Sequence, residues 1–165
     1  MPVTEDAALA AVRQALEAAW REYNQGISES DMAQVLAFYE KWTTPDFEER
    51  DNPKGRVTDR AQMLALMAEA VAVGSPGAPM IVLEATTSIA ELTIEGSRVV
   101  AVAANKYRYR QTDTHGWYGI KGAEHEIEMA GRWRETWVQT VEGWRLQINQ
   151  LLESETYVDG ALFVP

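Results

Sequence analysis

The stretch GRWRETWVQTVEGWRLQINQLL, residues 131–152, reads as two β-strands joined at Glu142-Gly143. A two-residue loop there fixes the register. It sets Val141 opposite Trp144, Gln139 opposite Leu146, Trp137 opposite Ile148, Glu135 opposite Gln150 and Trp133 opposite Leu152, and opposed residues share a face. That face is apolar and aromatic apart from Glu135, Gln139 and Gln150, so it is expected to lie under helices. The other face takes Arg132, Arg134, Thr136, Val138, Arg145, Gln147 and Asn149, with Leu151. A slip of one residue would exchange the two faces. On this register Glu135 is the unusual residue. A carboxylate between Trp133 and Trp137 along one strand loses solvation. It must pair with an arginine or take up a proton, and in the second case its pKa rises and it belongs to a site.

Outward from this hairpin the strands extend over Glu124 to Val141 and Trp144 to Val158. A second pair, Met80 to Glu95 and Arg98 to Thr112, is rich in β-branched residues and tyrosine and turns at Gly96-Ser97. Strands of this length suit a curved sheet. The polar segment Gln111 to Gly122 separates the pairs. The first half has a helical period. Leu9, Val12, Leu16, Ala19, Trp20 and Tyr23 make one stripe opposite Arg13, Glu17, Arg21 and Glu22, and Gly26 is expected to end that helix. Ser28 to Asp31 resembles a capping box for a second helix carrying Met32, Val35, Leu36 and Tyr39 inward, stopped before Pro45. A third helix starts near Thr58 or Asp59 and presents Met63, Leu66, Met67, Ala70 and Val71, then gives way to a Gly/Pro loop at residues 74–79. Asp46 to Asp51 reads as a short strand. Helices followed by long strands, with no boundary between them, imply one α+β domain over residues 1–165 with helices on one face of the sheet.

The composition excludes several function classes. The 165 residues carry a net charge of −10, which disfavours a nucleic-acid partner. With no cysteine there can be no disulfide, thiolate metal site or cysteine nucleophile. No stretch approaches the roughly 20 apolar residues of a membrane span, and Met1 to Ala11 lacks signal-peptide character, so no membrane partner is expected and the cytoplasm is the expected location. Phosphate-binding loops and nucleophile elbows are missing. His115 and His125 lack metal-ligand spacing. Asp113, His115 and Glu124 read as solvated loop residues rather than ligands, so no metal is expected.

Several short segments in this order carry a resemblance: Tyr23-Asn24-Gln25-Gly26, Phe38-Tyr39, Asp46-Phe47, Arg50-Asp51-Asn52-Pro53-Lys54-Gly55-Arg56, Arg132 to Trp137, and Glu142-Gly143-Trp144-Arg145-Leu146. Over nearly the whole chain the sequence resembles the NTF2-like (cystatin-like, cone-shaped) superfamily, and within it the SnoaL-like and ketosteroid-isomerase-like proteins. The resemblance implies a curved, mostly antiparallel sheet wrapped around three N-terminal helices, an apolar pocket and a homodimer. It puts Asp51 near the general base of ketosteroid isomerases, with Asn52 inserted before Pro53, and Glu135 where that family has a protonated aspartic acid. The usual first-helix tyrosine falls at Ala19, with Trp20 and Tyr23 nearby. Asp51 is therefore a candidate base or a turn residue, and Glu135 a candidate acid. Tyr39, Tyr107 and Tyr109 are spare donors or core aromatics. Trp20, Tyr23, Tyr39, Tyr107, Trp133, Trp137, Gln139, Ile148 and Gln150 are the candidate ligand contacts.

Two functions are compatible with this reading. One is an isomerase, cyclase or dehydratase that uses acid–base chemistry and no cofactor. The other is a non-catalytic ligand-binding or dimerisation domain. The expected ligand is a hydrophobic or cyclic small molecule, neutral rather than anionic, since the register supplies no arginine. Thr136, Val138 and Leu151 on the opposite face suit a homodimer contact. His115, Trp117 and Tyr118 are candidates for a lid.

Overall fold

In the first helix, α1 (Glu5–Ser28), Val12, Leu16, Ala19 and Trp20 are buried and Arg21 and Gln25 are exposed, as the stripe requires. The computed structural model describes residues 5–51, 55–73 and 80–164. The turn expected at Asn52-Pro53-Lys54 and the loop at residues 74–79 lie outside these. α1 does not stop at Gly26. It runs two residues further because Gly26 serves contact rather than termination: a Cβ there would sit 3.1 Å from the Val35 side chain and 3.2 Å from the Asp31 carbonyl. The expected box at Ser28 is corrected accordingly. Ser28 still belongs to α1, and the cap of α2 (Met32–Trp42) is Asp31, whose carboxylate accepts the Gln34 N–H at 3.1 Å. Val35, Phe38 and Tyr39 of α2 are buried.

The chain passes directly into β1 (Thr43–Asp51), longer than expected, with Pro45 in an irregular part of the strand between the paired residues Thr43 and Glu48. After β2 (Arg56–Asp59), Asp59 and Gln62 cap α3 (Arg60–Val73) reciprocally, at 2.9 and 2.8 Å. Met63 is buried and Met67 packs on the core, but Leu66 and Val71 are exposed, contrary to expectation. Nearly every position of α3 is apolar, so its sequence does not define a single inward face.

The sheet adds β3 (Met80–Glu95), β4 (Arg98–Thr112), β5 (Glu124–Thr140), β6 (Gly143–Val158) and the short β7 (Ala161–Leu162). Its order is β2-β1-β6-β5-β4-β3, with β7 on β6. Among the described residues only the β1–β6 pair is parallel. The result is the expected α+β arrangement, with the core between helices and one sheet face.

The β5–β6 register differs from expectation. The loop is Val141-Glu142, Thr140 pairs with Gly143, and Gly143 takes a φ of 105° that glycine tolerates. Trp137 therefore opposes Leu146, still on the inner face. Between that pair and Thr136/Ile148, β6 holds one extra residue, Gln147, and a second extra residue, Leu152, follows the Trp133/Leu151 pair. Each bulge moves later residues to the other face. Asn149 and Leu151 thus turn inward, and Ile148 and Gln150 join Thr136 and Arg134 on the outer face.

Between β4 and β5 the buried Asp113 organises the loop. Its carboxylate accepts N–H groups of His115, Gly116, Trp117 and Tyr118, at 3.3, 2.8, 3.0 and 2.8 Å. Burial opposes its charge, but these bonds outweigh it and hold its pKa below the usual carboxylate range. Asp113→Asn removes the charge and one acceptor oxygen. Hydrogen exchange at residues 115–118 is expected to accelerate by at least about tenfold, with core strands unaffected. Unchanged exchange there would mean the loop is held by other contacts.

Candidate functional site

The curl of the sheet leaves a cavity of about 240 Å³ between its inner face and the helices. That is larger than the ~150 Å³ cavity that holds benzene in an engineered protein core. Trp20 and Tyr23 of α1 and Tyr39 of α2 form one wall, and Tyr107 of β4 and Trp133 of β5 form the other. Gly131 keeps space open. A Cβ there would fall 2.5 Å from Asn105 Oδ1 and 3.2 Å from the Trp133 indole nitrogen.

The polar centre is a row across three strands. Asn149 of β6 pairs with Glu49 of β1 on one side and with Glu135 of β5 on the other, and all three line the cavity. Two strand spacings separate the carboxyl-bearing residues by about 10 Å at the backbone. Glu135 is 1% exposed, and its Oε2 accepts the Trp137 indole N–H at 2.9 Å. Burial drives its pKa up to about 7, against the opposing pull of the Trp137 N–H and then the Trp20 N–H. The Trp20 N–H is buried and directed at this same carboxyl, short of full hydrogen-bond geometry. Burial also raises the Glu49 pKa. The Asn149 amide, which donates at 3.4 Å, resists the rise, and the Asp51 charge adds to it. The other amide atom, Asn149 Oδ1, is buried without a partner. A satisfied chain completes the wall: Tyr107 donates to Asn24 at 3.1 Å and Asn24 donates to Thr87 at 3.0 Å. Burial raises the pKa of Tyr23, Tyr39 and Tyr107, so all three phenols remain protonated near neutral pH.

Of the residues expected at the site, Trp20, Tyr23, Tyr39, Tyr107, Trp133 and Glu135 are brought together. Trp137 lies behind them, fully buried, holding Glu135. The bulge turns Ile148 and Gln150 away. Gln139, paired with Trp144 near the hairpin end, is exposed and off the cavity. Asp51 does not line the cavity either. It sits at the end of β1, ion-paired with its cross-strand partner Arg56 at 2.8 Å. Glu49, two residues earlier on the same face, takes the inward place. The buried Phe47 marked that face in the sequence, since Phe47, Glu49 and Asp51 alternate together. Asn149 and Leu151 were missed because no sequence signal marks the bulge. His115, Trp117 and Tyr118 are not among the lining residues, so the lid expectation finds no support here. Both oxygens of Asp113 are committed to backbone amides, which leaves no ligand set with His115 and Glu124.

The chain covers 84% of its length against 95% of an NTF2-like protein from Cytophaga hutchinsonii, at 12% identity and a TM-score of 0.55. A nuclear transport factor 2 (NTF2-like) superfamily protein from Salmonella enterica aligns over 94% of this chain and 95% of its own, at 13% identity and a TM-score of 0.54. The chain has the NTF2-like fold. A hexachlorocyclohexane dehydrochlorinase (LinA, type 2) shares this fold over 98% of both chains, at 12% identity and a TM-score of 0.59. No protein-family model matches the sequence, and no curated protein matches it significantly. Among the described residues no helix is long and apolar enough to cross a membrane. Within this NTF2-like fold the three long antiparallel strand pairs and the helices over them create the cavity, and the β1–β6–β5 row supplies its charge.

The raised Glu135 pKa makes stability depend on pH. The folded protein holds this proton more tightly than the unfolded chain. The stabilising contribution is therefore complete below the unfolded pKa near 4.5 and is lost as pH rises to about 7. Above that the cost of burying the charge is of the order of 3 kcal/mol. Glu135→Gln keeps an acceptor for the Trp137 N–H and removes the charge. Its urea midpoint should exceed that of wild type at pH 8 and approach it at pH 5. A variant less stable at both values would identify Glu135 as an ionised structural partner.

Proposed function

We propose that this chain binds a small cyclic molecule in the cavity and moves a proton on it, with Glu135 as the group that takes up and returns the proton. The observation that carries this reading is the placement of two carboxyl groups, Glu49 and Glu135, on one enclosed aromatic wall. Among the described residues that line the cavity there is no lysine, arginine or histidine. A base works best when its pKa lies near the working pH, and Glu135, at about 7, meets that condition. Glu49 supplies a second carboxyl on the same row.

The chemistry suits a carbon acid. The Glu135 carboxylate removes a proton from the carbon beside a carbonyl, and the C–H electrons pass into the carbonyl, leaving an enolate. The protonated phenols of Tyr23, Tyr39 and Tyr107 line the same cavity and supply donors for its oxygen. Where a double bond adjoins the acidic carbon, the anion extends over it, and return of the proton from Glu135 to the far carbon gives the conjugated isomer; no cofactor is needed for either step. The size of the cavity supports a one-ring or two-ring ligand. The dehydrochlorinase neighbour is likewise named for a substituted cyclohexane.

The test is α-proton exchange in deuterated buffer, followed by NMR, on a cyclohexanone with two methyl groups on the carbon opposite the carbonyl (gem-dimethylcyclohexanone). Wild type should accelerate exchange, with activity rising with pH through an apparent pKa near that of Glu135. Glu135→Gln should lose roughly 100-fold or more while remaining folded. Exchange at the buffer rate with ketone binding intact would make the chain a ligand-binding protein instead.

A further inference from the structure

The hydrogen-bond and charge accounting of the cavity does not close on itself. Glu49 and Glu135 face a common space, and no cation among the described lining residues offsets either of them. The nearest basic partner on that side, Arg56, is held by Asp51. One buried polar atom of a lining residue also lacks a partner, the Asn149 side-chain oxygen, on a residue 5% exposed. Native interiors leave few such atoms unpaired, so each one calls for a complementary group. An acceptor between two carboxyl groups calls for positive charge.

We propose that the ligand of this cavity is an organic cation, a small ring carrying an ammonium nitrogen. The positive nitrogen lies between Glu49 and Glu135 along the Asn149 row. The rings of Tyr23, Tyr39 and Trp133 attract it through their negative faces. An anionic ligand would meet two carboxylates, and a neutral ring would leave both charges uncompensated. The net charge of −10 raises the local concentration of cations around the whole molecule.

This inference rests on the reading of the cavity as a ligand site and names its ligand class. It also fits the assignment of Glu135 as base, because a bound cation favours the ionised form of that carboxyl. Binding is therefore coupled to proton release. The titratable groups facing the row are Tyr23 from α1, Tyr39 from α2 and Tyr107 from β4, with Asp51 further along β1. The three phenols stay neutral through the acid and neutral range. The change with pH is thus carried by Glu135 and Glu49.

The experiment compares two isosteric probes, the N,N-dimethyl-oxopiperidinium ion and gem-dimethylcyclohexanone. They differ in one ring atom, nitrogen with a positive charge or carbon. Calorimetric titration of the purified chain gives affinities at pH 5.5 and pH 8 in buffers of different ionisation enthalpy. The cation should bind at least about tenfold more tightly than the ketone at pH 8. It should weaken at pH 5.5 and should release protons on binding near neutral pH. Glu49→Gln should remove most of the preference while the ketone still binds. Equal binding of the two probes, or tighter binding of the ketone at pH 8, overturns the cation proposal and leaves proton transfer standing. Tight cation binding without ketone exchange supports the ligand class and removes the catalytic reading. Binding of neither probe overturns both.

Discussion

The cavity depends on one irregularity, the bulge at Gln147 in β6. Regular alternation from the hairpin turn would place Ile148 and Gln150 beneath the helices, one branched apolar side chain and one flexible amide. The extra residue rotates the strand so that Asn149 and Leu151 face inward until Leu152 resets the alternation. Bulges also bend the strand and strengthen its twist. β3 carries two of its own, between Val82 and Glu84 and between Ile89 and Glu91. A sheet bent at several places cannot meet the helices everywhere. Where contact is close, Leu16, Phe38, Val99 and Trp137 form a fully buried core. Where the sheet curves away, the same layer opens into the site, and Gly131 prevents a side chain from filling it.

The boundary between core and site runs between two residues of one strand. Trp137 is packed and supplies its only polar atom to Glu135, which is equally buried but belongs to the cavity. This pairing is neutral donor to titratable acceptor. It leaves the carboxyl free to hold a proton or release it, whereas an arginine in place of the indole would fix the charge. The opposite case is Asp113. Four backbone amides hold it ionised, and its role is confined to shaping a loop. Both residues are buried acids. The donors around them separate structural use from chemical use.

Much of the fold was legible in the sequence because its signals are local and repeated. Period in α1, β-branched runs in β3 and β4, and the Gly96 and Gly143 turns each point to the element found. The inward set Trp20, Tyr23, Tyr39, Tyr107 and Trp133 follows from those periods. The burial of Glu135 follows from its tryptophan neighbours alone, and its raised pKa agrees with that reading. What was not legible depends on a count rather than a pattern. A single unpaired residue moves the inner face of β6 from Ile148 and Gln150 to Asn149 and Leu151, with no compositional mark. α3 was misread for a related reason. A helix apolar on all sides does not declare which side is covered, and tertiary contact leaves Leu66 and Val71 outside.

Asp51 and Glu49 show how burial and charge divide the labour along a strand. The two residues share a face, about 7 Å apart. At the strand end Asp51 finds Arg56 on the neighbouring strand and is neutralised there, partly in solvent. Two positions deeper, Glu49 meets only the long amide bond from Asn149. The Asp51 charge still reaches it and raises its pKa. The negative charge that a ligand meets is then confined to the Glu49–Asn149–Glu135 row. An amide in the middle of that row is the arrangement that permits it, since it donates to one carboxyl and adds no charge. A third carboxylate at that position would force protonation of its neighbours, and a lysine would pair with both of them.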